Sequence, residues 1–465
     1  MTEPILSAES FRIVHIELNS ERFNKPLFLL GNRQAAPIVA EVNIFESIKT
    51  PYLTGNIVLV DDHDLYRITD IQGTEKLKII FEMPNSEATL IECDFVIVNV
   101  EASTKVNETT STLKLNMIED IGYYNELQSI SKSYQGFGED IVRNIVKDNL
   151  NRTVEVLSKN QSFQKPFRYL VPYTTPLEAV KKVVNNITTT FGMPFFFYST
   201  IFSKDFYLTD FETVLDPLKE PFNRGKPFTY HHDVSKTSDL LTQMTSIIEF
   251  SGTNLENTLK LAKRGAIGSD FTNVNASTGK VYENHINMKE RMDTLVSNKL
   301  MEDNHSHVLI DDMFISDPKA IDQRFLGDFN TMNSTNIGAN PFPKSGINSL
   351  GQQEFDEFNE LFQIRKNILN TLVKNVYEIY VPGLLFLGNP DTSVGNKIEI
   401  KILTNDDRAT TDQKRSGDFL ILSKRHIFNI VEKLHTVSLG VSRITNQRNV
   451  GWVFTATKLD GSLAQ

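Results

Sequence analysis

The chain has 465 residues, of which 23% are charged and 40% hydrophobic, and it carries a formal net charge of −10 with a sequence pI near 5.5. That length exceeds what one ordinary core supports, so about three or four domains are expected. The acid excess argues against general affinity for nucleic acid, which needs clustered Lys and Arg, but leaves room for a surface that nucleic acid slides past.

The one cysteine, Cys93, rules out an intrachain disulfide and fits folding in a reducing compartment, where a structural role is expected of it. The N-terminal Met1-Thr2-Glu3-Pro4 lacks the basic and apolar regions of a signal peptide, and no apolar run is long enough to span a membrane. Phe outnumbers Tyr 31 to 13, so Phe-rich cores are expected.

Residues from about 10 to 120 read as nearly continuous strand. The run from Phe11 to Leu18 comes first, followed by Ile38–Ile44 and Asn56–Val60, two alternating segments joined through Pro51 and Gly55 and expected to pair antiparallel. Lys76–Glu82, Thr89–Glu101 and Thr112–Met117 complete six or seven short strands, as in an antiparallel barrel or sandwich. Near residue 120 the pattern changes. Ile141, Val142, Ile145 and Val146 share one helical face. A second helix is expected from Pro176, with Thr175 as cap, Glu178 completing a capping box, Leu177, Val180, Val184 and Ile187 buried, and Gly192 as its stop. Strands at Pro194–Tyr198 and Asp205–Thr209 follow, which makes 121–210 a small α+β domain.

Pro and Gly crowd 216–227, which reads as a linker. Strand character returns at Ser246–Phe250 and then, beyond a long mixed region, at Val376–Val381, Lys397–Leu403, Phe419–Ile427 and Thr436–Ile444. The mixed region holds a Gly- and Asn-rich stretch, Gly327–Gln353, and an amphipathic helix from Glu354 to Lys374 with Phe355, Phe358, Phe362, Leu369 and Leu372 on one side. The fold class expected is therefore a multidomain, β-rich α+β chain: β-domains at 1–120 and, split, at 211–252 and 375–450, the α+β domain between them, a mixed insertion at 253–374 and a tail at 451–465.

Catalytic signatures are missing. There is no Walker-type loop, no G-x-G-x-x-G after a strand, no C-x-x-C, no H-E-x-x-H and no G-x-S-x-G. Asp61-Asp62-His63-Asp64 resembles a metal site in composition but suits a solvated turn. His231 and His232, adjacent on an extended segment, would point to opposite faces. His305 and His307 would share a face, yet no third ligand stands at a standard spacing. Glu354, Asp356 and Glu357 imitate a glycosidase pair but begin a helix, where the macrodipole favours acids. No enzyme activity, metal or cofactor is expected.

The stretch from Ile44 to Pro84 resembles the N-terminal barrel of the baseplate hub proteins of contractile-tailed phages of T-even-like and cyanophage type. The matching residues are Ile44, Phe45, Pro51, Leu53, Thr54, Gly55, Ile71, Gly73, Glu75, Leu77, Ile79 and Phe81. Tyr169–Tyr198 is similar to the family's central helix and following strands, Leu259–Tyr282 to the start of its insertion, and Val381–Ile402 with Ser416–Asn429 to its closing strands. Residues 300–370 match nothing in that pattern.

The resemblance implies two antiparallel β-barrel-like tube domains per chain. Three chains would form a pseudo-sixfold ring that joins the sixfold tail tube to the threefold central spike around a channel for DNA. The implied partners are a homotrimer of the chain itself, the central spike protein, tail tube initiator and tube proteins, and the tape-measure and baseplate wedge proteins; DNA would pass without specific binding. The implied location is the virion tail baseplate, after assembly in the host cytoplasm. Pro51, Tyr52, Leu53, Thr54 and Gly55 are the expected contact turn, and Glu41 and Asn43, alternating with Ala40, Val42 and Ile44, are the expected lumen-facing residues. The rival readings are the hub of a bacterial contractile injection system, a tail-tip cell-wall hydrolase that would need His305 or His307, and a host-receptor adhesin, which would show fibrous repeats.

Overall fold

The computed structural model describes the chain apart from residues 1–6, 24, 31–37, 62–70, 84–88, 106–110, 159–165, 231–238, 253–257, 277, 302–332, 339–351, 373–375, 405–409, 413–414 and 446–465. The first seven strands are β1 (Ile13–Asn19), β2 (Leu27–Phe28), β3 (Val39–Ser47), β4 (Thr54–Asp61), β5 (Lys76–Glu82), β6 (Leu90–Lys105) and β7 (Ser111–Glu119). They pair antiparallel in the order β3-β4-β7-β6-β5-β1-β2. Period-two alternation sorts the side chains: Val42, Ile44, Ile57, Leu59, Leu113 and Leu115 enter one core, and their neighbours take the opposite face. The long β6 serves two partners, with Leu90–Val96 against β5 and Phe95–Lys105 against β7.

Two positions explain residues that the alternation alone did not. Glu75 is fully buried because its carboxylate accepts from the Gln72 N–H at 3.1 Å and the Gly73 N–H at 3.0 Å and pairs with Arg22. The turn it holds needs φ +98° at Gly73, a region open to glycine. Gly55 lies where β3 and β7 close on β4, and a Cβ there would sit 2.3 Å from the Asn43 carbonyl oxygen and 2.5 Å from Met117 Cε. Gly55→Ala is accordingly expected to cost about 1–3 kcal/mol by overpacking. A urea midpoint equal to that of the wild type would contradict this.

The middle of the chain contains α1 (Asp120–Glu126), β8 (Ser133–Gly136), α2 (Gly138–Leu150), β9 (Val154–Val156), β10 (Phe167–Leu170), α3 (Pro176–Asn185), β11 (Phe195–Thr200) and β12 (Ser203–Asp210). Strands β11 and β12 form a hairpin extended by a parallel β9, and the predicted stripes of α2 and α3 pack on it in a core of their own. The capping box at Thr175 does not form, because its side chain makes no cap bond. Asn125 from α1 caps instead, its Oδ1 accepting from the Leu177 N–H at 2.7 Å. Helix α3 stops at Asn185, so Ile187 is buried beyond the helix, and Gly192 takes its positive φ in the turn that follows.

Next come α4 (Phe211–Leu215), β13 (Phe228–Tyr230), α5 (Leu240–Met244), β14 (Ser246–Ile247), β15 (Glu249–Ser251), α6 (Thr258–Lys263), β16 (Gly268–Asn275), β17 (Val281–Asn287), α7 (Met288–Ser297), β18 (Asn333–Gly338) and α8 (Gln352–Thr371). The chain then runs through β19 (Val376–Pro382), α9 (Leu384–Gly388), β20 (Lys397–Lys401), β21 (Gly417–Asn429) and β22 (Leu434–Arg443). The expected linker at 216–227 is in fact pinned. The Asn223 side chain bonds both the N–H and the carbonyl of Glu399, at 2.8 and 2.9 Å, and Arg224 forks onto Asp418 at 3.1 and 2.8 Å. An amide side chain that imitates a strand neighbour explains why turn-forming residues need not be loose there.

Helix α8 also differs from its expected face. Leu361, Ile364 and Ile368, with Leu372 just beyond its end, are the buried stripe, at i, i+3 and i+4 spacing, whereas Leu369 is only partly buried and Phe355 and Phe358 lie outside the described side chains. Those four residues share one core with Phe271 of β16, with Met288 and Met292 of α7 and with Ile379, Ile398, Phe419 and Val437 of the later strands.

Candidate functional site

Strand β21 decides how the two β-rich regions meet. Along one edge it pairs with β22; along the other, Gly417–Leu420 pairs with β20 and Ser423–Asn429 pairs antiparallel with β3. The register on β22 slips between Ile421 and Ser423, a bulge accommodated at Gly440, where a Cβ would lie 2.3 Å from Ser423 Oγ. The result is one continuous run of strands, β6-β7-β4-β3-β21-β22-β19-β15, drawn from both ends of the sequence.

The face of this run that turns away from the cores is polar. Asn43 stands opposite Asn56, Asn56 opposite Asn116, and Asn116 opposite Asn99, a row of four asparagines across β3, β4, β7 and β6. Asn43 is only 1% exposed because its amide is fully engaged. Its Nδ2 donates to Glu41 and to Asn56 Oδ1 at 2.9 Å, and its Oδ1 accepts from Arg425 Nε at 3.0 Å. Arg425 also lies over the Phe45 ring at 5.4 Å. On either side, Asn116 and Lys114 bond Glu101 at 2.9 and 3.2 Å, and Ser438 and Tyr380 bond Glu378 at 2.8 and 3.1 Å. Of the predicted pair, Glu41 and Asn43 both lie on this face. Asn56, Asn99, Asn116 and Arg425 did not emerge from the sequence reading. The available signal was an Asn in the middle of alternating runs, since Asn is depleted in strands.

The other side of the same seam is charged and dry. Lys424 and Glu46 face each other across β21 and β3, 3.0 Å apart and with both side chains fully buried. His426 lies 3.6 Å from Glu46 through Nε2, and its Nδ1 is 3.0 Å from His435 Nε2. Burial pushes the Glu46 carboxyl up, but Lys424 and His426 outweigh it and leave the carboxyl below its ordinary value. Burial pulls the Lys424 ammonium down, opposed by Glu46. Burial, then Lys424, lowers His426 to about 4. A histidine held neutral in the fold stabilises it above the ordinary imidazole pKa, and that contribution is lost as pH falls from 6.5 through about 4. His426→Gln is therefore expected to flatten the acid limb of the stability curve by up to about 3 kcal/mol over that window. Parallel acid limbs in mutant and wild type would contradict it.

The predicted turn is largely internal. Leu53 is buried, donating its N–H to Glu119 Oε2 and accepting from the Glu119 N–H, both at 2.9 Å, and Tyr52 packs on the α+β core. Pro51 and Thr54 are half-buried, Gly55 is buried, and the preceding Lys49 and Thr50 are exposed. The candidate metal residues Asp62, His63, Asp64, His231, His232, His305 and His307 lie outside the described residues, as do the side chains of Glu354, Asp356 and Glu357. Among the described residues no cluster of three or more His, Cys, Asp or Glu could hold a metal, and no helix is long and apolar enough to cross a membrane. Cys93 is buried, and burial pushes its thiol well up.

No family model matches the chain, and no curated protein matches it. Its structural neighbours include tail proteins. A tail protein of Neisseria meningitidis superposes with a TM-score of 0.49 at 10% identity, covering 92% of this chain and 96% of that one. The 43 kDa tail protein of a Shewanella oneidensis prophage gives 0.47 at 12% identity, covering 93% and 99%. An E. coli protein described as a component of the type VI secretion system gives 0.39 at 9%, covering 89% and 76%.

Proposed function

We propose that this chain is the structural hub of a phage tail baseplate, a homotrimer whose sheets close into a ring around a channel for DNA. The supporting observation is the continuous polar face from β6 to β15, because its two ends are open. Beyond Ile97, β6 pairs with β7 alone, and β15 pairs with β19 alone, among the described residues. Open strand edges pair readily with other chains, and both carry exposed apolar residues beside them, Val98 at 49% and Ile248 at 42%. Joining β6 of one copy to β15 of the next removes every such edge when the ring closes.

On this reading residues 1–120 and 211–252 with 375–450 are the two barrel-like tube domains, 121–210 and 253–374 decorate them, and 451–465 is a tail. The polar face turns toward the lumen, with Glu41, Asn56, Asn99 and Asn116 reaching it and Asn43 held buried among Glu41, Asn56 and Arg425. Neutral amides, with Arg425 and Lys114 each paired to a carboxylate, would give DNA few counterion-releasing contacts. Lys49, Thr50 and the accessible parts of Pro51 and Tyr52 are the proposed contacts with spike or tube proteins. The role is one of assembly in the virion, not catalysis. Native mass measurement with end-on electron-microscopy averages tests it: a species of about three chains shaped as a six-lobed ring with an open channel is expected. A compact monomer, unchanged when cognate spike and tube proteins are added, overturns it.

A further inference from the structure

On the core side of the β21–β22 hairpin the rings of His426 and His435 lie 5.2 Å apart, and both stack against Phe428. Both are fully buried. Their nitrogens form a line that starts at Glu46. Its carboxylate is 3.6 Å from His426 Nε2, and His426 Nδ1 is 3.0 Å from His435 Nε2. Beside an ionised Glu46 the hydrogen of His426 belongs on Nε2, so Nδ1 accepts from the Nε2–H of His435. The last nitrogen of the line, His435 Nδ1, is buried without a hydrogen-bond partner.

Two pieces of chain cover that end. A Cβ on Gly383 would sit 2.1 Å from His435 Nδ1, so backbone fills the space beside the nitrogen. The segment Ser7–Arg12, which leads into β1, lies over the same residue. The His435 N–H donates to the Glu9 carbonyl at 2.9 Å, and the Leu384 N–H of α9 donates to the Ala8 carbonyl at 3.1 Å. Ala8 is buried, and the Phe11 ring lies 6.1 Å from the His435 ring and 5.3 Å from that of Phe428. The segment therefore ties the first β-rich region to β22 and α9, a second joint besides the pairing of β21 with β3.

A proton on His435 upsets this joint. Its Nε2–H still meets His426, but Nδ1 becomes a donor that lacks an acceptor. A cation is also added to a dry site in which Lys424 already balances Glu46. That charge must reach water. A continuous ladder holds β21 to β22, whereas Ser7–Arg12 is held by the backbone bonds from His435 and Leu384 and by that of the Glu82 N–H to Arg12. The segment is thus the part released at least cost.

We propose that His435 is an acid-operated latch on Ser7–Arg12: a proton on its Nδ1 frees that segment from β22 and α9 while the hairpin and the β21–β3 seam stay paired. The latch goes beyond the ring reading and does not depend on it.

Burial, then His426 and Lys424, hold the His435 imidazole well below its ordinary range. The charged groups facing the pair are Lys424 of β21 and Glu46 of β3. In β22 the other ionisable side chain, Arg443, stands at the far end, and α9 has none. Glu378 of β19 is engaged on the polar face with Ser438 and Tyr380. In the segment itself Arg12 pairs with Glu82 at 2.8 Å. Burial raises the Glu9 carboxyl, which favours the closed segment as pH falls and so opposes the latch. A ring that is neutral when covered and ordinary when released keeps the segment closed above pH 6.5, and below it opening eases by about tenfold per pH unit.

Hydrogen exchange on the intact chain tests the latch, read as protection factors so that the intrinsic pH dependence of exchange cancels. Between about pH 7.5 and about pH 5 the Leu384 and His435 amides should lose about thirtyfold in protection, while amides of β4 and β21 keep theirs. In His435→Gln, neutral throughout, the Leu384 amide should be equally protected at both pH values. Should that variant fail to fold, the wild type alone decides, because global acid unfolding would expose β4 and β21 at the same pH as Leu384. Leu384 protection that is unchanged between the two pH values, that falls in parallel with β4 and β21, or that keeps its pH dependence in His435→Gln overturns the proposal.

Discussion

Lys424→Ala is expected to lower the unfolding free energy by roughly 3–5 kcal/mol, among the largest losses available to a single substitution in this chain. The reason is placement. Lys424 and Glu46 are cross-strand neighbours on the single pairing that welds β21 to β3, and neither side chain reaches solvent. Removing the ammonium leaves Glu46 buried with His426 and the Ile201 N–H at 3.3 Å as its remaining partners. It also removes the cation from beside the Phe202 ring, 5.3 Å from its centroid. Replacing both members, Lys424→Met with Glu46→Leu, should cost much less than the single change, because no orphaned charge remains. Urea unfolding of the three proteins gives the comparison. A single-mutant loss below about 1 kcal/mol, or a double mutant as weak as the single, would show that the pair is not dry in solution.

Placing a charge at either open edge should abolish self-association while leaving the protomer folded. Val98→Lys and Ile248→Lys both alter side chains that are 49% and 42% exposed in the protomer, so their cost to the isolated fold is small, within about 0.5 kcal/mol. In a closed ring each would be desolvated at every seam. Forfeiting one buried aliphatic side chain is worth about 1.5–3 kcal/mol, and an unpaired ammonium adds to that, so the seam should weaken by at least about a hundredfold. On the proposed trimer, native mass spectrometry should report monomer for both variants and three chains for the wild type. Leu218→Lys, at an 86% exposed position away from both edges, serves as the control and should leave the mass unchanged. A trimer that survives both edge substitutions would place the subunit contact elsewhere.

Much of this architecture follows from short-range pattern. Alternation from Ile13 to Glu119 determines both the strands and which face is buried, because a period of two admits one assignment wherever one face meets a core. The stripe Ile141, Val142, Ile145 and Val146 likewise determines α2 and its buried side. Glu41 and Asn43 on the polar face of β3 follow from the same rule.

Tertiary structure alone decided the rest. Nothing near Asn125 marks it as the cap of a helix some fifty residues later, since the donor and acceptor meet only after α1 packs beside α3. Asn223 reads as turn chemistry until β20 lies against it. The joining of β21 to β3 couples residues separated by most of the chain, and with it come both the Arg425 bond to Asn43 and the buried Lys424–Glu46 pair beneath. Local propensity is blind to such contacts: a lysine inside an alternating run has the same sequence signature whether it faces water or a carboxylate. The sequence by itself determined the strands and their inner faces, because burial imposes a period on neighbours; only the fold decided which strands adjoin and which polar groups are trapped, because those depend on pairings that no local pattern encodes.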